Sequence, residues 1–214
     1  MRVGIAGGHG KIALLLTALL TERGDSVVSL IRDPDQGPDV RAVGGEPVIC
    51  DLERDDAAAL ARPLSGCGAV VFAAGAGPGS GSERKDTVDH LAAVKLIDAA
   101  RRAGIDRYLM ISAMAADPGR AGDQVFDVYL RAKGRADEAL RESGLRSTIL
   151  RPGRLTDEAS TGLVELGDSV ERGAVSRADV AAALLACLDS EASVGRTLEL
   201  VGGETPLERA IASL

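Results

Sequence analysis

The first 20 residues constrain the fold of this chain more than any other segment. The short apolar run Arg2–Ala6 leads into a glycine-rich stretch, and residues 11–20 follow with helical character. The glycines recur as Gly4-x-x-Gly7-x-x-Gly10. A strand, a glycine turn and a helix in this order present free backbone N–H groups and a positive helix end to a phosphate. The segment therefore predicts a dinucleotide-binding loop, whose expected contact residues are Gly4, Gly7, Gly8, His9, Gly10, Lys11 and Ile12.

Other interpretations of this segment stay open. The glycines are also consistent with a turn that is merely structural. A solvent-exposed loop position is the favoured alternative for His9, and a solvated side chain explains Lys11 equally well.

Apolar runs alternate with helical stretches along nearly the whole chain. The predicted strands are Arg2–Ala6, Ser26–Ile31, Pro47–Cys50, Ala69–Ala73, Tyr108–Ile111, Ser147–Leu150 and Thr197–Leu200. The predicted helices are Lys11–Arg23, Ala57–Leu64, Val88–Ala103, Asp127–Ser143 and Arg177–Leu188. This alternation is typical of a parallel sheet with helices on both faces. We therefore predict one α/β domain, residues 1–214, with a Rossmann-type doubly wound parallel sheet of about seven strands. Residues 151–176, rich in glycine and polar residues, are predicted to form the loops of a small C-terminal substrate-side lobe.

Charge and composition argue against several classes of function. The chain of 214 residues has a net charge of −7, which argues against binding to nucleic acid or to an anionic membrane. Cys50, Cys67 and Cys187 are widely spaced and predicted to be reduced core thiols, and with only two histidines we expect no metal site. We find no signal peptide and no apolar run near the ~20 residues of a membrane span, and expect a cytoplasmic protein. The expected partner is a small-molecule substrate, and the expected state is a monomer or homodimer.

The ends of the second to fourth predicted strands carry residues that would select and hold a cofactor. Arg32 ends the second strand, where a basic residue accommodates the 2′-phosphate of NADP and an acidic one binds the 2′-hydroxyl of NAD. We therefore expect NADP, while NAD stays open because Asp33 follows directly; an exposed strand-end charge is the alternative for Arg32. Asp51 is predicted to accept a hydrogen bond from the adenine amino group. The other cofactor contacts predicted at these strand ends are Leu52, Ala73, Ala74 and Gly75.

Tyr129 and Lys133 are the candidate catalytic pair. They stand four residues apart in a predicted helix, and this spacing places both on one face. Because an ammonium beside a phenol favours the phenolate, we expect Lys133 to lower the pKa of Tyr129 from about 10. The same lysine could hydrogen-bond the nicotinamide ribose. A pair on a surface helix is the common alternative for this spacing.

With these motifs the chain resembles the short-chain dehydrogenase/reductase superfamily, in particular its atypical NAD(P)H-binding members described as NmrA-like or NAD-dependent epimerase/dehydratase-like. The resemblance covers essentially the whole chain. Besides the glycine motif and Arg32 it rests on Asp51-Leu52, Phe72–Gly75, Tyr108–Ser112, Tyr129-x-x-x-Lys133, Arg151-Pro152-Gly153-x-Leu155 and Arg177-x-Asp179-Val180-Ala181. It implies that Tyr129 is the general acid/base and Lys133 its electrostatic partner. It also implies that Pro152, Gly153 and Leu155 lie near the nicotinamide.

One position departs from the family pattern. The family carries a run of serines after the fifth strand, with a later serine that orients the substrate carbonyl, whereas this chain reads Ile111-Ser112-Ala113-Met114. Ala113 aligns with the catalytic position, so Ser112 is the candidate catalytic serine only with local backbone adjustment.

Two functions stay open. The first is an NADP(H)-dependent oxidoreductase acting on a small carbonyl, quinone-like or sugar-like substrate, and the second is a non-catalytic NADP(H)-binding redox sensor.

Overall fold

The computed structural model describes residues 1–77 and 79–214, in which strands and helices alternate. The strands are β1 (Arg2–Ala6), β2 (Ser26–Ile31), β3 (Glu46–Ile49), β4 (Ala69–Phe72), β5 (Arg107–Ile111), β6 (Arg146–Pro152), β7 (Arg154–Thr156), β8 (Leu163–Gly167), β9 (Ala174–Ser176), β10 (Thr197–Gly202) and β11 (Thr205–Pro206). The α-helices are α1 (Lys11–Glu22), α2 (Gly37–Ala42), α3 (Ala57–Ala61), α4 (Ser82–Arg84), α5 (Ala92–Arg102), α6 (Val125–Glu142), α7 (Arg177–Asp189) and α8 (Leu207–Ala212). A π-helical turn, Lys85–Leu91, joins α4 to α5.

Nine strands form one sheet in the order β11-β8-β10-β6-β5-β4-β1-β2-β3. The strands from β3 to β10 in this order are parallel, whereas β8 runs antiparallel to both β10 and β11. The chain leaves β1 toward β2 and β3, then crosses back to β4 on the other side of β1. This reversal is the switch point at which open α/β sheets bind ligands. The predicted Rossmann-type doubly wound sheet is confirmed, and all seven predicted strands belong to it.

Helices cover both faces of the sheet because its central strands carry buried apolar residues on both sides. In β4, Ala69 and Val71 pack with α1, α7 and α8, while Val70 and Phe72 pack with α3, α5 and α6. All four residues of β4 are buried, as expected for a strand covered on both sides. The three cysteines are also buried.

The segment 151–176 is more regular than the predicted loops. The strands β7 and β9 pair in parallel as a two-stranded ribbon, and β8 extends the main sheet beyond the predicted seven strands. These strands are only three to five residues long and half-exposed, so they carry little of the apolar periodicity on which strand prediction depends.

No helix within residues 1–77 and 79–214 is both long and apolar enough to cross a bilayer.

Candidate cofactor and substrate site

The loop between β1 and α1 brings backbone close to the end of β4. Gly7 has a φ of 78°, and a Cβ there would lie 2.6 Å from the Cα of Ala74, so only glycine fits. Gly10 is the N-cap of α1 and carries no side chain that could cap the helix. The first turn of α1 also contains no acidic residue. The loop therefore fits a pyrophosphate, because the N–H groups and positive end of α1 face the strand ends without a side chain between them.

Gly8 and Ala13 show why the loop needs small residues at further positions. A Cβ on Gly8 would lie 2.5 Å from the Cβ of Ser29, and the Gly8 N–H donates to the carbonyl of Leu30 at 3.0 Å. Ala13 is fully buried between α1 and the sheet. The loop thus follows the spacing Gly7-x-x-Gly10-x-x-Ala13.

Gly4 lies outside this loop, which corrects its assignment as a cofactor contact. It is part of β1, and a Cβ there would fall 2.3 Å from the Cδ2 of Leu64. Its small size serves the packing of the sheet against the segment that follows α3. Spacing in the sequence alone could not separate a glycine of the strand from a glycine of the turn.

A groove of three adjoining cavities runs along the carboxyl edge of the sheet. The loop cavity, of about 310 Å³, lies beside the glycine loop. It adjoins a central cavity of about 560 Å³, with which it shares Ala73, Ala74 and Gly75. The central cavity in turn shares Ser112, Phe126, Tyr129 and Leu155 with an outer cavity of about 630 Å³. The predicted residues in the loop cavity are Gly7, His9, Gly10, Arg32, Asp51, Leu52, Ala73, Ala74 and Gly75.

Two arginines meet one glutamate in the loop cavity. Arg84 donates to Glu53 at 2.8 Å, and Arg32 lies 3.7 Å from the same carboxylate oxygen. The hydrogen bond from Arg84 lowers the pKa of Glu53, so the three side chains carry a net charge of about +1 at neutral pH. The sequence analysis did not identify Arg84 or Glu53 as site residues. Arg84 belongs to the short helix α4, which is far from Glu53 along the chain, so no local sequence pattern connects the two.

Asp33 is engaged in local structure. Its carboxylate accepts from the N–H of Asp35 and caps the 3₁₀ turn Pro34–Gln36. Among the described residues, Arg32 lines the loop cavity and Asp33 does not. This difference bears on the choice between NADP and NAD, which the sequence left open.

Asp51 and His9 also have partners within the protein. One oxygen of the Asp51 carboxylate accepts from the N–H of Glu53 at 2.9 Å, which stabilises the turn after β3. His9 Nε2 lies 2.7 Å from the Asp39 carboxylate. Both residues line the loop cavity, so the structure agrees with their predicted place and adds a structural role for each.

Lys133 is buried at the central cavity, and its ammonium group contacts two oxygen atoms of the protein. Its Nζ donates to the carbonyl of Ile111 at 3.1 Å and lies 3.3 Å from Asp89 Oδ1. Asp89 is 1% exposed and belongs to the π-helical turn. The sequence analysis did not predict this turn or the role of Asp89. Burial is the largest single effect and would lower the pKa of Lys133, but the charges of Asp89, Tyr129 and Asp137 and the hydrogen bond to Asp89 together outweigh it, so the pKa is raised. Lys133 therefore stays protonated.

Tyr129 lies one helical turn before Lys133 on α6 and lines both the central and outer cavities. Its ring lies 6.0 Å from that of Phe126, and Lys85 Nζ sits 5.3 Å from its centre. Burial raises the pKa of Tyr129, and the neighbouring charge of Lys133 reduces this rise without reversing it. The expectation of a lowered pKa is therefore wrong, because desolvation of the phenolate exceeds the attraction of an ammonium that is already paired with Asp89.

Ser112 follows β5 and lines both the central and outer cavities. Its Oγ is buried and lacks a hydrogen-bond partner among the described residues. Ala113 lines the outer cavity. The structure thus places the hydroxyl of Ser112, one position early by alignment, where the two cavities meet beside Tyr129.

A second buried carboxylate lies on the same face of α6. Asp137 accepts from Nε and Nη2 of Arg151 at 2.8 and 2.7 Å. Burial raises the pKa of Asp137, although the nearby Ser112 hydroxyl and the Arg151 guanidinium favour its carboxylate form. Tyr129, Lys133 and Asp137 therefore form one stripe along the helix.

The remaining predicted residues lie around the outer end of the groove. Pro152 and Gly153 line the outer cavity, whereas Leu155 lines the outer and central cavities and Ile12 lines the central one. Of the residues expected beside the nicotinamide, Leu155 thus lies in the central cavity, together with Ile12 from the start of α1.

Lys11 links the glycine loop to the segment after β7. Its Nζ lies 2.6 Å from Asp157, whose other oxygen accepts from Arg177 at 2.6 Å. The described lining of the three cavities does not include Lys11. Its contact with the cofactor stays a prediction, and in this structure the side chain forms this ion pair.

Comparison with known families agrees with this geometry. A sequence profile described as NAD(P)H-binding matches residues 7–191. The chain belongs to this NAD(P)H-binding family. Proteins similar to this chain include some named as epimerases and some named as reductases. The resemblance inferred from the motifs is confirmed.

Three similar proteins match over 96% or more of this chain. The Bacillus subtilis protein YhfK, named an uncharacterized sugar epimerase, is 37% identical, with complete coverage of both chains. A Bacillus halodurans structure described as an NAD-dependent epimerase/dehydratase is 35% identical, covers both chains completely and has a TM-score of 0.92. ChuY of Escherichia coli O157:H7, titled an anaerobillin reductase, is 25% identical, with a TM-score of 0.80 and coverage of 96% of this chain and 98% of that chain. These comparisons establish a Rossmann-fold, NAD(P)H-binding oxidoreductase/epimerase-like protein.

Proposed function

We propose that this protein is an NADP(H)-dependent oxidoreductase that reduces a small carbonyl, quinone-like or sugar-like substrate. One observation carries the proposal. Tyr129, Lys133 and Ser112 line one cavity, and this cavity lies between the glycine loop and the outer cavity. A proton donor, a fixed positive charge and a hydrogen-bond donor for a carbonyl oxygen thus converge beside the place where the loop would hold a dinucleotide.

The raised pKa of Tyr129 keeps its phenol protonated at neutral pH, which is the form needed for reduction. A phenol that holds its proton at neutral pH can donate it to the substrate oxygen. Lys133, kept charged by Asp89, stabilises the negative charge left on the phenolic oxygen. Ser112 orients the carbonyl by donating from Oγ. The nicotinamide ring supplies the hydride when the cofactor is bound.

NADP is the cofactor favoured by the loop cavity. Arg32 and Arg84 carry two positive charges against the single charge of Glu53. Asp33, the residue that would favour NAD, is engaged in capping the following turn. A phosphate on the adenosine ribose would draw the arginines away from Glu53 into charge-assisted hydrogen bonds.

A second candidate is a non-catalytic NADP(H)-binding redox sensor. Lys133 is engaged with Asp89 and the Ile111 carbonyl, which supports it. Ala113 in the aligned serine position supports it as well.

Turnover separates the two candidates. Purified protein is mixed with NADPH and a panel of aldehydes, quinones, flavins and keto sugars, and the loss of NADPH absorbance is followed. The enzyme hypothesis predicts turnover that falls by about two to four orders of magnitude in Tyr129→Phe, because only the proton donor is removed. The affinity of this variant for NADPH, measured by calorimetry, should be unchanged. Tight NADPH binding without turnover across the panel would favour the sensor, and undiminished turnover in Tyr129→Phe would exclude Tyr129 as the proton donor.

A further inference from the structure

We propose that the outer cavity recognises a substrate with an acidic group, a carboxylate or a phosphate, attached to an apolar body. This inference rests on the proposed function and adds the chemical class of the substrate. Four arginines line the cavity, namely Arg120, Arg154, Arg172 and Arg177, and the described lining contains no aspartate or glutamate. A cluster of positive charge is unexpected by composition in a chain of net charge −7.

Two of the four arginines already form ion pairs within the protein. Arg120 donates to Asp127 at 2.8 Å, and Arg177 donates to Asp157 at 2.6 Å. Arg154 and Arg172 form no ion pair within residues 1–77 and 79–214, where Arg120 and Arg177 do. These two side chains therefore leave about two uncompensated positive charges at the cavity, which attract an anion.

The ribbon of β7 and β9 brings the backbone of these two arginines to the same end, and both side chains line the outer cavity. Arg154 begins β7, and its N–H donates to the carbonyl of Gly173 at 2.9 Å. Arg172 directly precedes Gly173, so the pairing of the ribbon fixes both arginines at the same end. A Cβ on Gly153 would lie 2.4 Å from that carbonyl, which shows how closely the two segments approach. Two guanidinium groups that line one cavity suit a carboxylate or phosphate.

The rest of the cavity suits an apolar body that reaches the reacting groups. Met114, Phe126, Leu130 and Leu155 line it, and the Phe126 side chain is an exposed aromatic at 62%. Phe126 and Leu155 also line the central cavity, together with Ser112 and Tyr129. A ligand packed on these apolar side chains would thus present its acidic group to the arginines and its carbonyl to Tyr129. The volume of about 630 Å³ is ample for a two-ring molecule.

Three matched aldehydes test the inference. They are 6-formyl-2-naphthoate, its uncharged methyl ester and 6-formyl-2-naphthyl phosphate, and they differ in the group opposite the aldehyde. Binding to the protein loaded with NADP⁺ is measured by calorimetry, and turnover is measured separately with NADPH. We expect at least one acidic probe to bind about tenfold more tightly than the ester, as for a charge-assisted hydrogen bond. The ratio of the two acidic probes tells whether the site prefers carboxylate or phosphate.

Variants assign the effect to the two arginines. Arg154→Gln combined with Arg172→Gln should remove the tenfold preference and leave the affinities for the ester and for NADPH unchanged. Arg62→Gln combined with Arg141→Gln, at exposed arginines after α3 and at the end of α6, matches the loss of two positive charges and should have no effect.

Separate readouts distinguish the failure of each proposal. Equal affinity for the ester and both acidic probes, or no binding of an acidic probe, would overturn the inference. A preference that survives in the double variant would overturn it too. Binding that depends on the acidic group without turnover of any probe would support the anion site and count against the oxidoreductase.

Discussion

At the scale of single residues, the preference for a cofactor depends on a few charged side chains that share partners. Glu53 lies between Arg32 and Arg84, so each arginine is partly neutralised by the protein itself. Arg32 is about half exposed, at 57%, and its contact with Glu53 is long. Arg32 is therefore the arginine that moves to a ligand at the lower cost.

Replacing Arg32 with Ala should weaken NADP(H) binding and spare NAD(H). We expect a loss of about 1.5–3 kcal/mol for NADP(H), the size of a hydrogen bond to a charged group, and almost none for NAD(H). Calorimetry with both cofactors measures the difference. Arg54→Ala is the matched control, because Arg54 follows β3 and its side chain is 88% exposed. Equal losses for the two cofactors would contradict the assignment of the 2′-phosphate to Arg32.

At the scale of elements, the site depends on two close approaches between backbone segments. The glycine loop touches the end of β4 at Ala74, and the π-helical turn meets α6 through Asp89 and Lys133. A π-helical turn is often found at functional sites, and here it places a carboxylate opposite the catalytic helix.

Gly7→Ala should reduce both stability and cofactor affinity. An alanine at position 7 would have to adopt a left-handed backbone conformation, and its Cβ would lie 2.6 Å from the backbone of Ala74. The loop must therefore shift away from its phosphate-binding geometry. Gly24 is a matched control, because it also has a positive φ, 93°, but nothing lies within 4 Å of an added Cβ. Gly24→Ala should cost about 1–2 kcal/mol of folding free energy and leave NADPH affinity unchanged. Gly7→Ala should in addition lose about tenfold or more in affinity. Wild-type affinity in Gly7→Ala would exclude the loop as the phosphate site.

Asp89→Asn should destabilise the fold in a manner that depends on pH. Removing one member of a buried ion pair costs about 3–5 kcal/mol. In the wild type the raised pKa of Lys133 stabilises the fold at neutral pH, and this contribution is lost only as the pH rises through that raised value. Without Asp89, burial lowers the pKa of Lys133, so the penalty of the buried charge disappears as the pH rises. The difference in free energy of unfolding between the two proteins should therefore shrink at alkaline pH.

Urea unfolding across a pH series measures this difference. Asp86→Asn is the control, because Asp86 lies on the same turn with its side chain 47% exposed, and should change stability by less than about 0.5 kcal/mol. A deficit for Asp89→Asn that stays constant with pH would show that Lys133 is not the charge that Asp89 compensates.

At the scale of the whole molecule, the groove joins parts of the chain that are far apart in sequence. The loop after β1, the ends of β2 to β6, the π-helical turn, α6 and the ribbon of β7 and β9 all contribute to it. A cofactor bound along this edge would contact both the first and second halves of the sheet. Its binding should therefore stabilise the entire fold.

Thermal unfolding with each cofactor tests this coupling. At a concentration of 100 times its Kd, a cofactor that binds only the folded state adds about 2.7 kcal/mol of stability. NADPH should raise the Tm more than NADH at the same concentration, because only NADPH carries the 2′-phosphate. A larger shift with NADH would contradict the choice of NADP, and no shift with either would contradict the cofactor site described here.

The sequence by itself determined the features that depend on neighbours along the chain. The alternation of apolar strands and helices predicted the doubly wound sheet, and the turn Gly7–Gly10 predicted the phosphate loop. Helical spacing placed Tyr129 and Lys133 on one face of α6. These patterns are legible because backbone conformation and the periods of helix and strand are set within a few residues.

Only the tertiary structure decided which distant side chains meet at the site. It paired Lys133 with Asp89, brought Arg84 to Glu53 and brought Arg154 and Arg172 to the same end of the ribbon through the register of β7 and β9. It also showed that desolvation governs the pKa of Tyr129 and that Gly4 belongs to the sheet. These outcomes depend on strand register, crossovers and burial, which are properties of the packed molecule and not of any short stretch of sequence.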